Sequence, residues 1–252
     1  MDGLLYQKIK KLTGKAIGDF NLIKEGDRIA VGVSGGKDSY TLLHILDALR
    51  RRAPINYELV AVNVDSGFPG FRKEVVEKHL LDHRFEYRME STKCYQIIEE
   101  KRHSGSSYCS FCARLRRGVL YALADELKCN KIALGHHLDD FIETLLLNQF
   151  YAGTLKAMSP KLLADNGRHT VIRPLVYVEE ADIIRFSRQQ EFPIICCSCP
   201  VCGEGDQKRQ QMKKIIRELA QENEHIRKNM IGALGNVHPR HLLDKNLADF
   251  GA

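Results

Sequence analysis

Three groups of residues in this chain could do chemistry. The first is Ser34-Gly35-Gly36-Lys37-Asp38-Ser39, which lies between the apolar run Ile29-Ala30-Val31-Gly32-Val33 and a segment with helical periodicity (Tyr40, Leu42, Leu43, Ile45, Leu46, Leu49). A strand, a glycine turn and a helix start form a phosphate cradle: glycines let backbone amides approach an anion, and the helix N-terminus adds its positive dipole end. Lys37 supplies a mobile positive charge, and Asp38 either holds a magnesium ion or caps the helix. The spacing is not that of Gly-x-x-x-x-Gly-Lys-Ser/Thr. The second group is Gly135-His136-His137-Leu138-Asp139-Asp140, again where an apolar run meets a helix start. Acidic residues there favour the helix dipole, but capping does not account for the two histidines.

The third group is made of cysteines. Cys109-Ser110-Phe111-Cys112 is expected on a loop before a helix that carries Arg114, Arg116 and Arg117. Two thiols at that spacing can bind one metal or cluster, or form a redox disulfide, and the arginines would stabilise thiolates or face phosphates. Cys196, Cys197, Cys199 and Cys202 crowd together further on. Two Cys-x-x-Cys pairs ordinarily indicate a four-cysteine zinc site, but Cys112 and Cys199 are separated by far more than a zinc ribbon allows. Either the fold unites the two groups, around zinc or a cubane cluster, or they serve different purposes. Cys94 and Cys129 stand alone in helix-like segments and read as buried packing residues.

The elements that must position these groups alternate. Strands are expected at 28–33, 57–64, 85–89, 131–134 and 170–173, and helices at 38–52, 71–82, 93–102, 113–127, 138–150 and 179–190, with a polar loop after 150. This order predicts an α/β, doubly wound, mainly parallel sheet with right-handed crossovers. Ligands in such sheets bind beyond the carboxyl ends of the strands, where strand order reverses, so the first and fourth strands would be neighbours if the glycine turn and the Gly135 motif share a nucleotide. The expected domains are a basic helix at 1–21 (Lys8, Lys10, Lys11, Lys15), the α/β domain that carries the phosphate cradle at 22–195, and a cysteine-rich segment with a helical extension at 196–252. The extension includes a basic helix at 207–230.

The chain has 252 residues, 44% of them hydrophobic, which suffices for one sizeable core. No run of about 18 apolar residues exists and the N-terminus lacks the order of a signal peptide, so no membrane partner and a cytoplasmic location are expected. Eight cysteines in such a chain argue for metal binding or catalysis rather than a disulfide framework. The net charge of +6 suits an anionic partner if it is clustered.

The hexapeptide resembles the signature of the PP-loop ATP pyrophosphatases, which cleave ATP to AMP and pyrophosphate and commonly adenylate a carbonyl oxygen. The likeness sharpens with Cys109-x-x-Cys112 followed by Arg114-Leu115-Arg116-Arg117-Gly118, with Pro174-Leu175-Val176-Tyr177, the distal cysteine, Gly235-Asn236-Val237 and His241-Leu242-Leu243-Asp244. Together these look like the tRNA 2-thiocytidine synthetases. The resemblance implies ATP bound by Ser34, Gly35, Gly36, Lys37, Asp38, Ser39, Val64, Arg116, Gly135 and His136, with Asp139 or Asp140 serving Mg2+ or the attacked base. It also implies a [4Fe–4S] cluster on three cysteines that leave one iron open: Cys109, Cys112 and Cys199, with Cys202 as the alternative third ligand. The distal group carries one insertion-like pair, Cys196-Cys197, beyond the family pattern. Related 2-thiouridine synthetases usually carry cysteine motifs at both termini, and no cysteine here precedes Cys94 or follows Cys202.

The activity so implied is a tRNA sulfurtransfer. ATP adenylates the C2 oxygen of an anticodon-loop cytidine, sulfur then replaces it, and the cluster carries sulfur supplied by a cysteine desulfurase or other sulfide donor. Catalysis falls to Lys37, Asp38, Asp139, Cys109 and Cys112, with the two basic helices on the tRNA backbone; the family is often dimeric. The competing readings are a 2-thiouridine synthetase, a cluster-free enzyme using a persulfide, an amidotransferase-like enzyme with structural zinc, and a zinc-stabilised RNA-binding module.

Overall fold

The computed structural model describes residues 3–101, 108–164, 167–196, 198–199 and 207–247, with backbone alone for 108–110. The chain divides into two compact units, Met1–Leu138 with Ser159–Gly205, and Asp139–Met158 with Asp206–Ala252.

The first unit holds β1 (Arg28–Gly32), β2 (Glu58–Asp65), β3 (Tyr87–Ser91), β4 (Lys131–Ala133), β5 (Lys161–Leu163) and β6 (Thr170–Ile172) in one sheet of order β3-β2-β1-β4-β6-β5. All pairings are parallel except β5 on β6. Its helices are α1 (Leu4–Asp19), α2 (Lys37–Arg50), α3 (Lys73–Asp82), α4 (Cys94–Lys101), α5 (Tyr108–Glu126) and α7 (Glu180–Gln189). Both faces of the sheet are buried, with the period of two that a strand dictates. Ile29, Val31, Leu59 and Ala61 face one core with α2 residues Leu42, Leu43, Ile45 and Leu46. Ala30, Val60, Val62 and Ile132 face the other, with Leu120, Leu123 and Ala124 of α5. Helix α1 belongs to this unit through Tyr6 and Ile9, which join the first core.

The expected alternation is present, and β1 and β4 are neighbours as their shared site requires. Residues 161–163 were expected in a loop but form β5. The strand is short and shows no alternation, and Leu162 and Leu163 are both exposed at the sheet edge. Its identity comes from pairing with β6, which residue type alone does not reveal.

The second unit holds the remainder of α6 (Leu138–Leu147), which continues as a π turn at Asn148–Ala152, with α8 (Gln207–Glu222) and α9 (Ile226–Ala233). The single helix expected over 207–230 is interrupted between Glu222 and Ile226. There the Asn223 side chain accepts from the His225 amide at 2.9 Å, and the Asn223 carbonyl accepts from Ile226. An asparagine that closes its own local turn competes with the helix ladder.

Candidate active site

In the first unit the glycine turn follows β1 at the reversal of strand order, with β2 and β3 to one side and β4 and β6 to the other. Gly35 has φ +86°, and a Cβ there would lie 2.5 Å from Cγ1 of Ile195. The Gly35 carbonyl also accepts from the Ile195 amide at 3.0 Å, so the segment after α7 is laced to the turn. Gly35→Ala therefore meets both left-handed strain and a core side chain, and we expect it to lower stability by about 2–4 kcal/mol, read as a lower urea midpoint at unchanged slope. Gly135 is constrained from the other side, since its Cβ would stand 3.0 Å from the backbone carbon and oxygen of Asp38. Only glycine lets the end of β4 lie against the start of α2.

The turn is fixed by hydroxyls. Ser39 Oγ donates to the Gly36 carbonyl at 2.9 Å and accepts from the Ser34 amide at 3.2 Å. Helix α2 begins after Gly36, with no side chain capping it. Asp38 therefore does not act as a cap. It pairs with Lys37, whose Nζ lies 3.0 Å from Asp38 Oδ1 and 3.1 Å from Oε1 of Glu180, in the first turn of α7. Burial pulls the Lys37 pKa down, but the Asp38 and Glu180 charges outweigh burial and the net shift is upward. The ammonium thus stays charged inside a carboxylate pair, the groups with which an anionic phosphate would compete. Buried His137 stands 3.7 Å from the same Asp38 oxygen. His136 Nδ1 accepts from Arg173 Nε at 3.2 Å; a guanidinium only donates, so the neutral His136 ring carries its proton on Nε2. Burial, ahead of the nearby Arg117 charge, lowers the Arg173 pKa.

Ser34 and Gly36 line a cavity of about 270 Å³ together with Val64 at the end of β2, Arg116 of α5, and the cysteines Cys112 and Cys199. Ser66, Phe68, Phe71 and Ile195 complete much of the wall. Cys112 and Cys199 are both reduced and pack against the same cluster around Phe68 and Ile98. The fold thus unites the two distant cysteine groups on one cavity with the phosphate turn. The cysteine pair expected on a loop lies instead within α5, which begins at Tyr108, so that Cys109 and Cys112 are three residues apart along a helix. Soft thiolates of this kind suit zinc or an iron–sulfur cluster. Cys202 lies outside the described residues, and so does the side chain of Cys109. Cys196 is held in a disulfide. Cys94 and Cys129 are buried, as expected.

Sequence reasoning passed over Glu180 and Arg173, and noted His137 only as half of a histidine pair without a role of its own. Glu180 and Arg173 had one usable signal: the segment after the fifth expected strand leaves the sheet at the same carboxyl edge as the Gly135 motif.

In the second unit Asp139 and Asp140 occupy the first turn of α6. Asp139 accepts from Arg227 Nε of α9 at 3.0 Å. Buried Glu143, one turn on, is met by Arg209 at 3.0 Å and Lys213 at 3.7 Å, both from α8. These three cations hold α8 and α9 to α6, so the reading of the whole 207–230 stretch as a phosphate-binding face is corrected. The exposed cations Arg217 and Lys228 lie outside those pairs. In α1, Lys8 pairs with Asp182 at 2.6 Å and Lys15 pairs with Asp19, so half of that expected basic face is likewise committed within the first unit.

A PP-loop domain family model matches residues 4–195. The chain is 68% identical over 247 residues to the tRNA-cytidine(32) 2-sulfurtransferase of Syntrophotalea carbinolica, covering 98% of this chain and 95% of that one. It is 63% identical to the protein of the same name from Geobacter metallireducens, over 98% and 96% of the two chains. A sheet, turn and cavity of this kind define a PP-loop protein, and within that class the chain belongs to the tRNA-cytidine(32) 2-sulfurtransferase family. Among solved structures it resembles the U34-tRNA thiolase NcsA from Methanococcus maripaludis, determined with its [4Fe–4S] cluster, at a TM-score of 0.75 and 23% identity over 93% of this chain and 80% of that one. It also resembles the NH3-dependent NAD synthetase of Campylobacter jejuni, at a TM-score of 0.51 and 17% identity over 94% and 93%. Both likenesses are of fold. No helix among the described residues is long and apolar enough to cross a membrane.

Proposed function

We propose that this protein converts a cytidine of the tRNA anticodon loop to 2-thiocytidine, using ATP to activate the C2 oxygen. The observation that carries the reading is the shared cavity: the phosphate turn, the end of β2, Arg116 and two thiols from distant segments all line it. The relatives of similar length are named for this reaction.

A pyrimidine C2 carbonyl is a poor electrophile, and adenylation turns its oxygen into a leaving group. Lys37 would leave its carboxylate partners for the phosphates, and the amides at Gly35 and Gly36 would meet the charge that develops as pyrophosphate departs. The carboxylates thereby released, Asp38 and Glu180, are oxygen donors of the kind Mg2+ accepts. His136, with its proton on Nε2, offers a further donor, and Arg116 a further cation. The Val64 backbone, at the end of β2, would read the adenine edge. Sulfur then attacks C2 and AMP leaves. Cys112 and Cys199, with Cys109, would hold a [4Fe–4S] cluster. When bound, the cluster supplies the sulfur-carrying chemistry of the reaction. Phe68 and Phe71 wall the cavity beside the thiols and restrict water at the electrophile.

Asp139 and Asp140 are assigned to Mg2+ or the attacked base by sequence resemblance. The target base must leave its loop stack to be reached, and the exposed cations Lys11, Arg217 and Lys228 are the candidates for tRNA phosphate contacts. A sulfide donor such as a cysteine desulfurase, a homodimer and a cytoplasmic location complete the reading.

Nucleoside analysis of tRNA from a strain lacking the protein tests it. The expected result is loss of 2-thiocytidine with 2-thiouridine unchanged; loss of 2-thiouridine alone overturns the choice of base.

A further inference from the structure

A second cluster of metal-ligating side chains lies in the first unit, apart from the thiols. His44 projects from α2, two turns after Lys37, or about 10 Å along the axis. His79 comes from α3, and His83 follows it at the C-cap. One ring nitrogen from each of the three lies within 4.8 Å of the others. Nε2 of His44 and Nε2 of His79 are 2.9 Å apart. His83 is placed four residues after His79, the spacing that lets two histidines on one helical face chelate one ion. Its Nδ1 lies 2.9 Å from the His79 carbonyl, and a carbonyl only accepts, so the neutral His83 ring has its proton on Nδ1 and a lone pair on Nε2. That is the outer hydrogen bond that orients a ligating imidazole.

We propose that His44, His79 and His83 form a three-imidazole site for a divalent transition metal, zinc being the best match. Zinc–nitrogen bonds of about 2.0–2.1 Å in tetrahedral geometry set the ligand atoms roughly 3.3 Å apart. The His44–His79 pair, at 2.9 Å, needs to open by only about 0.4 Å to reach that separation, and exposed His83 has the freedom to close on it. One of the two rings donates to the other without metal. On binding, that ring moves its proton to Nδ1, so both Nε2 lone pairs face the ion and no net proton is released. His44 and His83 also line a second cavity of about 240 Å³ with Asp47, Arg51 and Lys10, which gives a fourth, solvent ligand room. Burial first, and then the neighbouring rings, pushes the pKa of His44 down to about 3 and of His79 to about 4, so both are neutral at physiological pH. Such an ion would tie the helix that begins at the phosphate turn to the helix that follows β2.

The competing description is a packed aromatic cluster, since His44 also stacks on Phe192 at 4.9 Å and meets Phe85 edge-on at 5.2 Å. Titration of the full-length, anaerobically purified protein with Co2+ separates the two. We expect one equivalent of ligand-field absorbance without new thiolate-to-cobalt charge transfer. We also expect a rise in Tm of roughly 5–10 °C at about 100 times the dissociation constant. His83→Ala, at an exposed position, should keep its metal-free Tm and its iron content but bind Co2+ at least about 100-fold more weakly. Absorbance dominated by thiolate charge transfer, or unchanged binding in His83→Ala, overturns the site. Should that variant misfold, nitrogen-15 spectra of the wild-type imidazoles with Zn2+ decide instead: shifts at three Nε2 atoms support the site, and none refutes it.

Discussion

Lys37→Ala is expected to abolish tRNA-dependent ATP–pyrophosphate exchange and to leave in place the iron chromophore of the proposed cluster. One preorganised donor to a developing negative charge is worth about 10²–10³ in rate, and Lys37 offers a full charge rather than a dipole. Its removal also has an electrostatic consequence visible in the ground state. The ammonium holds Asp38 at 3.0 Å and Glu180 at 3.1 Å. Without it two carboxylates face the incoming phosphates, so the loss should reach or exceed the upper end of that range. Lys37→Arg should recover little, because a planar fork does not replace a compact ammonium between two carboxylates. Lys37→Ala,Glu180→Gln should recover part of ATP binding, measured as a lower Kd than in the single variant, by relieving the excess negative charge. The chromophore should be unaffected, because Lys37 does not line the thiol cavity. Exchange within tenfold of wild type in a folded Lys37→Ala would remove the lysine from the reaction. Loss of both exchange and chromophore together with a collapsed Tm would report misfolding, and Lys37→Met, which keeps the aliphatic stem, then carries the test.

The phosphate turn was legible because its backbone demands glycine, and glycine can be read from the sequence whatever partner imposes the demand. Gly35 must adopt a positive φ, Gly135 must admit the backbone of Asp38, and both are glycine for those reasons. The alternating sheet was legible because both faces of β1 and β2 are buried, leaving near-continuous apolar runs in the sequence. What lay hidden was pairing across long separations. The partnership of Lys37 with Glu180 spans most of the chain and leaves no periodic mark. Arg173 on His136, 37 residues apart, and the cluster of His44, His79 and His83 leave no periodic mark either. The basic helix over 207–230 misled for a related reason. Charge composition does not tell a solvated cation from one aimed inward, and Arg209, Lys213 and Arg227 are spent on the acidic face of α6.

Cys112→Ser and Cys199→Ser are each expected to remove the iron chromophore of the proposed cluster and with it 2-thiocytidine formation, while the melting temperature stays that of the cluster-free wild-type protein. Serine replaces a soft thiolate by a hard, protonated hydroxyl of nearly the same size, so the change falls on ligation more than on packing. Both cysteines are half-buried on the wall of the cavity that also takes in Ser34 and Gly36, and both rest on the Phe68 and Ile98 cluster. Cys129 provides the opposite case. It is buried within the second core, and burial raises its thiol pKa, so it stays protonated and inert. Cys129→Ser should therefore leave iron content unchanged and lower stability by about 1–3 kcal/mol, as a hydroxyl set in an apolar site does. The comparison separates ligands from packing residues without reference to turnover, because iron per chain and visible absorbance are read before any assay. Retention of the chromophore in Cys199→Ser with its loss in Cys202→Ser would transfer the third ligand to Cys202. A colourless, iron-free wild-type protein that still forms 2-thiocytidine at full rate would show that the thiols carry sulfur themselves.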